Sequence, residues 1–291
     1  MVRGDASSVV NAPPRRSTSP ARIDTVPAIQ TAKLRQQAAL MAEHFGDPPA
    51  YIRSMHHLLD FYSDRVKRLG RSEKPGPLIK TYLVPPPVLR LILQELLPLA
   101  HNDPEKGFAL CDALWKEPYF EFRILASMLI GQMPAEHAEK IIEQVQCWIT
   151  TDLGVQLVDA ILLHSFICLR HERPPILVDL IKSWLNNTDI FSKQLGLRAL
   201  LPLINDADFE NLPAFFGMIQ PLTENTPNVL RPDLLEVLIA LTRRSPQETA
   251  YFLRQCLKST SSTDTPWLIR QVVQQFPPDF QERLRQSMRK T

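Results

Sequence analysis

The feature that most constrains the fold is a pair of apolar helical segments that recurs along most of the chain. From residue 85 onward, predicted helices alternate between two slots at intervals of roughly 31 to 40 residues. First helices are predicted to begin near Asp103, Pro134, Pro174, Glu210 and Pro246, and their partners near Tyr119, Asp152, Asp189, Asn228 and Asp264. One pair cannot bury its apolar face alone, so neighbouring pairs must stack. The repeat therefore predicts an α-solenoid.

Glycine and proline usage agrees with this prediction. The 291 residues include only 9 glycines but 26 prolines, against average usages of about 7% and about 5%. Proline suits the first turn of a helix, where its missing N–H has no helical partner. No segment shows the alternation and tight-turn residues of paired strands. We expect an all-α chain, an α-solenoid of HEAT-like helix pairs that forms an α-α superhelix.

The chain divides into three parts by composition. Residues 1–27 are rich in proline, serine, threonine and arginine, and are predicted to form a disordered N-terminal tail. Residues 28–84 are predicted to hold two helices, 28–45 and 48–70, followed by a basic loop. Residues 85–291 are predicted to form the HEAT-like helical repeat domain.

Missing motifs exclude several classes of protein. No two glycines are spaced as G-x-G, and no phosphate-binding loop is present. No histidine or cysteine pair has the spacing of metal ligands, so we expect neither a metal ion nor a cofactor. No apolar run reaches the roughly 18 residues of a membrane span, and the N-terminus lacks an apolar signal core. We expect a cytoplasmic monomer that does not contact a membrane.

Asp159 is the most conspicuous candidate for a functional residue. It interrupts the segment GVQLVDAILLHSFICL, which is otherwise largely apolar and is predicted to be one helix. A carboxylate in that position must face solvent, pair with a cation or act on a ligand. The residues alone leave open whether Asp159 is a structural acid or a functional one.

Basic residues suggest where a polyanion would bind. The formal net charge is only +2, so nucleic-acid binding would depend on local patches. One patch is the loop that contains Arg65 and Arg68, where six cations stand against two acids. A second set lies on the later partner helices and the turns after them, and would form an electrostatic track if it faced one side. This set is Lys193, Arg198, Arg231, Arg243, Arg244 and Arg270.

The segment ALCDALWKEPYFEFRILASMLI resembles the signature of the AlkD-type DNA alkylation repair proteins, which are HEAT-like DNA glycosylases. The residues that carry the resemblance are Leu114, Trp115, Pro118, Glu121 and Phe122, followed by Val158, Asp159 and Trp184. The segment TYLVPPPVLR is similar to the entry segment of that family, and the likeness covers roughly residues 80–285.

The resemblance implies duplex DNA held on the concave face and a catalytic role for Asp159. It places the family's phosphate-contacting arginine at Gln194, with Lys193 adjacent. The aromatic residue that the family has four positions before the aspartate is Val155 here, and a second active-site tryptophan falls near Glu236. The acid is therefore kept while the aromatic walls are lost.

Two functions remain open from the sequence. In the first, the protein binds duplex DNA, alkylated or otherwise distorted, and either excises cationic N3- or N7-alkylated purines or only recognises the distortion. In the second, it is a non-catalytic HEAT-repeat scaffold for a protein partner. Whether the chain is an enzyme is undecided at this stage.

Overall fold

Helices account for all the regular structure in the part of the chain that can be described. A computed structural model of the chain describes residues 31–63, 79–259 and 263–290. These residues form fifteen α-helices and three short 3-10 turns, with one isolated β-bridge between Lys80 and Tyr119. The predicted tail and most of the basic loop, including Arg65 and Arg68, lie outside the described residues. The predicted all-α class is confirmed.

The helices follow the predicted alternation of two slots. The N-terminal helices are α1 (Thr31–Ala42), α2 (Pro48–Tyr62) and α3 (Pro86–Asn102). The first-slot helices are α4 (Pro104–Lys116), α6 (Ala138–Trp148), α9 (Pro174–Leu185), α11 (Leu212–Glu224) and α13 (Pro246–Ser259). The second-slot helices are α5 (Phe120–Ile130), α7 (Val155–His164), α10 (Ile190–Ile204), α12 (Arg231–Arg244) and α14 (Asp264–Val272). Two helices stand outside this scheme, α8 (Ile167–Glu172) and α15 (Pro278–Lys290).

Side-chain caps explain several helix starts. The carboxylates of Asp47, Asp103 and Asp189 accept hydrogen bonds from backbone N–H groups three residues later, at 3.1, 3.2 and 2.8 Å. Each cap satisfies an N–H group that has no partner within its helix, and contributes about 1 kcal/mol. Prolines occupy the first turn of α2, α3, α4, α9, α11 and α12.

The second-slot helices form a continuous layer. In chain order, α5 packs on α7, α7 on α10, α10 on α12 and α12 on α14. Helices α5, α10, α12 and α14 also pack on first-slot helices, and one apolar core runs between the two layers. This stacking of paired helices is the predicted solenoid.

Two predicted helices end earlier than expected. The helix predicted over 48–70 ends at Tyr62, where Ser63 is extended and its hydroxyl donates to the Asp60 carbonyl. The apolar segment around Asp159 forms two helices, α7 and α8, separated by a turn. The N–H of Cys168 donates to the Gly131 carbonyl at 2.8 Å, so it cannot continue the helical ladder from α7. The close approach of α5 to the end of α7 therefore overrides the apolar pattern.

No helix within the described ranges combines the length and apolar character needed to cross a bilayer.

Candidate nucleic-acid interface

Asp159 lies on the outer face of α7. Its neighbours Val158 and Leu157 are buried and pack into the core, whereas the Asp159 side chain is 46% exposed. Val155 and Leu163, one helical turn before and after Asp159, are also exposed. These positions share one helix face because residues four apart stack. The carboxylate is therefore available to a ligand on the surface of the second-slot layer.

Three charged side chains form a row across successive second-slot helices. The Nη1 atom of Arg198 on α10 lies 2.7 Å from Oδ1 of Asp159 on α7. The Nη2 atom of the same guanidinium lies 2.5 Å from Oδ1 of Asp233 on α12. We call Asp159, Arg198 and Asp233 the acid–arginine row. It runs from a half-exposed carboxylate, through an arginine that is 15% exposed, to an aspartate that is 3% exposed.

Asp233, the buried end of the acid–arginine row, also accepts a hydrogen bond from a neutral side chain. Gln194, one turn before Arg198 on α10, donates from Nε2 to Oδ2 of Asp233 at 3.2 Å. Burial by itself lowers the pKa of Arg198, but the carboxylates of Asp159 and Asp233 together outweigh it and hold that pKa above its usual value. Arg198 therefore stays charged and fixes the Asp159 carboxylate in place.

An open cleft of about 590 Å³ borders the exposed end of the row. Its acidic and basic lining residues are Asp159, Asp206, Glu236, Arg170, Arg198 and His171. Three carboxylates thus face two arginines and a histidine, and both arginines are engaged. Arg170 donates to the carbonyls of Leu163 and Pro202, and its Nε lies 3.6 Å from Asp206. The carboxylates of the cleft therefore outnumber its arginines, and neither arginine is unpaired.

The two positions where the expected aromatics are replaced lie beside Asp159. Val155 is 54% exposed on the same face of α7. Glu236 is exposed and lines the cleft from α12. Phenylalanine, tyrosine and tryptophan are absent from the described lining residues of this cleft. A ligand here would meet carboxylates, aliphatic groups, two engaged arginines and the imidazole of His171.

The sequence-predicted DNA contacts are not equally available. Lys193 is half-buried on the first turn of α10 and has no ion-pair partner within the described residues. Gln194 and Arg198 turn toward Asp233, and Arg231 pairs with Asp264 at 2.9 Å while its guanidinium lies 4.6 Å from the centre of the Trp267 ring. Arg65 and Arg68 lie outside the described ranges.

Asp233 is a member of the row that sequence reasoning missed. The signal that could have found it is the repeat itself. Asp159 and Arg198 are 39 residues apart, and so are Gln194 and Asp233. Arg198 lies one repeat after Asp159, and Asp233 lies one repeat after Gln194, which is one turn from Arg198. Residues one repeat apart lie side by side on neighbouring helices, so the repeat spacing brings the three charges together.

The fold and the row define an α-solenoid with a surface carboxylate fixed by a buried ion pair. The family model described as DNA alkylation repair enzyme matches residues 79–275, which is about two thirds of the chain and includes every second-slot helix. The chain belongs to this family. No curated protein and no solved structure matches the chain.

Proposed function

We propose that the protein binds duplex DNA on its second-slot layer and uses Asp159 to release cationic N3- or N7-alkylated purines. The observation that carries the proposal is the half-exposed Asp159 carboxylate, held at 2.7 Å by Arg198 in a chain that belongs to the DNA alkylation repair family. The curvature of a solenoid creates an extended concave surface for binding, and the proposal assigns the second-slot layer to that side.

The chemistry suits a carboxylate that is already in place. Alkylation at N3 or N7 gives the purine a positive charge, so the glycosidic bond breaks with its electron pair moving to the base, which leaves neutral. The sugar carbon becomes oxocarbenium-like, water adds to it, and the water's proton passes to solvent. A fixed negative charge stabilises the oxocarbenium ion without reorganisation in the transition state. Arg198 performs the positioning and Asp159 the stabilisation.

The charges around the cleft indicate which residues can contact phosphates and which can contact the alkylated base. Arg198 is shared by two carboxylates and is not free to neutralise phosphates. Phosphate contacts then fall to cations outside the row, with Lys193 in the centre and, as the sequence predicts, Arg65 and Arg68 in the basic loop. Arg231 is engaged by Asp264 in the same way as Arg198 is by its two aspartates. The acidic cleft would favour a cationic base over a neutral one, since its carboxylates outnumber its arginines.

Base release tests the catalytic part of the proposal. Asp159→Asn keeps the size of the side chain and removes its charge, so release of 7-methylguanine from methylated duplex DNA should fall by about 100-fold or more. Asp179→Asn is the matched control, an exposed aspartate on the first-slot helix α9, and should release base at the rate of the unmodified protein. Equal rates for both variants would exclude Asp159 as the catalytic group.

Salt dependence tests the DNA-binding part. If the protein neutralises phosphates, the logarithm of its affinity for duplex DNA should fall linearly with the logarithm of salt concentration. Lys193→Gln should reduce that slope by about 0.9, the value for one phosphate contact on B-form DNA. Binding that is absent, or that does not change with salt, would contradict the proposal.

A protein-binding scaffold is the second candidate. Val155 and Leu163 are exposed apolar residues on either side of Asp159, and the cleft beside them is acidic. This combination also suits a basic partner protein. Failure of both DNA experiments would favour it.

A further inference from the structure

A second groove lies on the opposite layer, at the C-terminal end of the solenoid. It has a volume of about 610 Å³ and is bounded by the first-slot helices α11 and α13 and by the last helix, α15. We call it the aromatic–arginine groove and define it by Phe216, Tyr251, Phe280, Arg254 and Arg283. Helix α15 begins after residue 275, where the family match ends. The α15 wall of the groove therefore lies outside the matched residues, whereas the α11 and α13 walls lie within them.

The walls of the groove present aromatic faces. Tyr251 is 63% exposed, so its ring is accessible to a ligand. The ring of Phe216 packs 5.0 Å from that of buried Phe252, which fixes one wall. Phe280 of α15 is half-buried on the other side. Aromatic side chains rotate about only two side-chain bonds, so they can stack on a planar ligand at a low entropic cost.

Two guanidinium groups stand beside these rings. The guanidinium carbon of Arg283 lies 5.8 Å from the centre of the Phe280 ring. Neither Arg254 nor Arg283 has a carboxylate within ion-pair distance in the described ranges, and Glu248 is the one carboxylate among the lining residues described. The buried Nε of Arg254 also lacks a hydrogen-bond partner there. The two arginines outnumber the single carboxylate of Glu248, so the described lining carries a net positive charge.

We propose that the aromatic–arginine groove binds an unpaired strand of nucleic acid. Bases would stack on Tyr251 and Phe280, while Arg254 and Arg283 contact the phosphates. Exposed aromatic rings alternating with cations are the means by which proteins hold single strands without reading their sequence. An acidic peptide would satisfy the charges but would leave the aromatic faces without a planar partner.

Fluorescence anisotropy with a labelled twelve-residue thymidine oligonucleotide tests this on the full chain. Tyr251→Ala should weaken binding at least about fivefold, the lower range for loss of one stacked base. Phe61→Ala is the matched control, because Phe61 on α2 is exposed to the same extent, 61%. Arg283→Gln should lower the salt slope by about 0.7. Arg289→Gln, an exposed position on the same helix that does not line the groove, should leave it unchanged.

Several outcomes would overturn the proposal. The first is that the oligonucleotide does not bind, and the second is that the groove variants and their controls weaken binding equally. The third is that poly-glutamate of equal charge displaces the labelled oligonucleotide as effectively as unlabelled oligonucleotide does. The last result would assign the groove to an acidic protein segment. Tyr251→Ala should not change release of 7-methylguanine, because the groove and Asp159 lie on different layers. A failure of single-strand binding in the groove is thereby distinguished from a failure of the proposed base release.

Discussion

Replacing Asp233 with alanine is expected to lower the free energy of unfolding by about 3 kcal/mol, at the lower end of the cost of breaking a buried ion pair. Asp233 is 3% exposed, and its two oxygens meet Arg198 and Gln194. Its removal leaves a largely buried guanidinium with one half-exposed partner, Asp159. Urea unfolding followed by circular dichroism measures the loss.

Two further variants separate stability from catalysis. Asp179→Ala, at an exposed site, should change the free energy of unfolding by less than about 0.5 kcal/mol. The double variant Arg198→Met with Asp233→Leu replaces the ion pair by apolar groups and should recover most of the stability. It should still lose base release, because nothing then fixes the Asp159 carboxylate. A loss below about 1 kcal/mol in Asp233→Ala, or full activity in the double variant, would contradict the assigned role of the row.

Gly131→Ala should destabilise the protein by about 3 kcal/mol, the upper end of the usual cost of overpacking. A Cβ atom at this position would lie 1.8 Å from the carbonyl oxygen of His164. That oxygen belongs to the end of α7 and cannot turn aside as a side chain would, so α5 and α7 must separate. The expected observation is a lowered unfolding midpoint, with reduced base release, since α7 carries Asp159.

Gly217→Ala supplies the contrast. Gly217 is an exposed residue inside α11, and a Cβ there meets nothing within 4 Å. The same substitution should stabilise the protein by about 0.5–1 kcal/mol, because alanine favours the helix over the unfolded chain. If both variants shifted the midpoint in the same direction, the close approach at Gly131 would not be the cause.

Much of the fold was predictable because its signals are local. Prolines in first turns and capping aspartates such as Asp103 and Asp189 are set by the needs of individual helix ends. The break after α7 was not predictable from the apolar pattern, which continues through Phe166. It depends on a hydrogen bond from Cys168 to Gly131, a residue on another helix.

The candidate site was predicted only in part. An acid among apolar residues identified Asp159, because helix periodicity makes such a residue stand out. Arg198 and Arg231 were expected to contact phosphates, yet both are paired with aspartates, Arg198 with two and Arg231 with Asp264. A cation's partner is chosen by the packing of neighbouring helices, and a count of charges along the chain does not contain that information.

The amino-acid sequence by itself determined that this chain stacks paired helices and carries one isolated acid, since both follow from spacing along a single helix or repeat. The tertiary structure alone decided that Asp159 faces outward, that Arg198 joins it to Asp233, and that the adjoining cleft is acidic. The row depends on contacts between residues 35 and 39 positions apart, which exist only once successive helices have packed side by side.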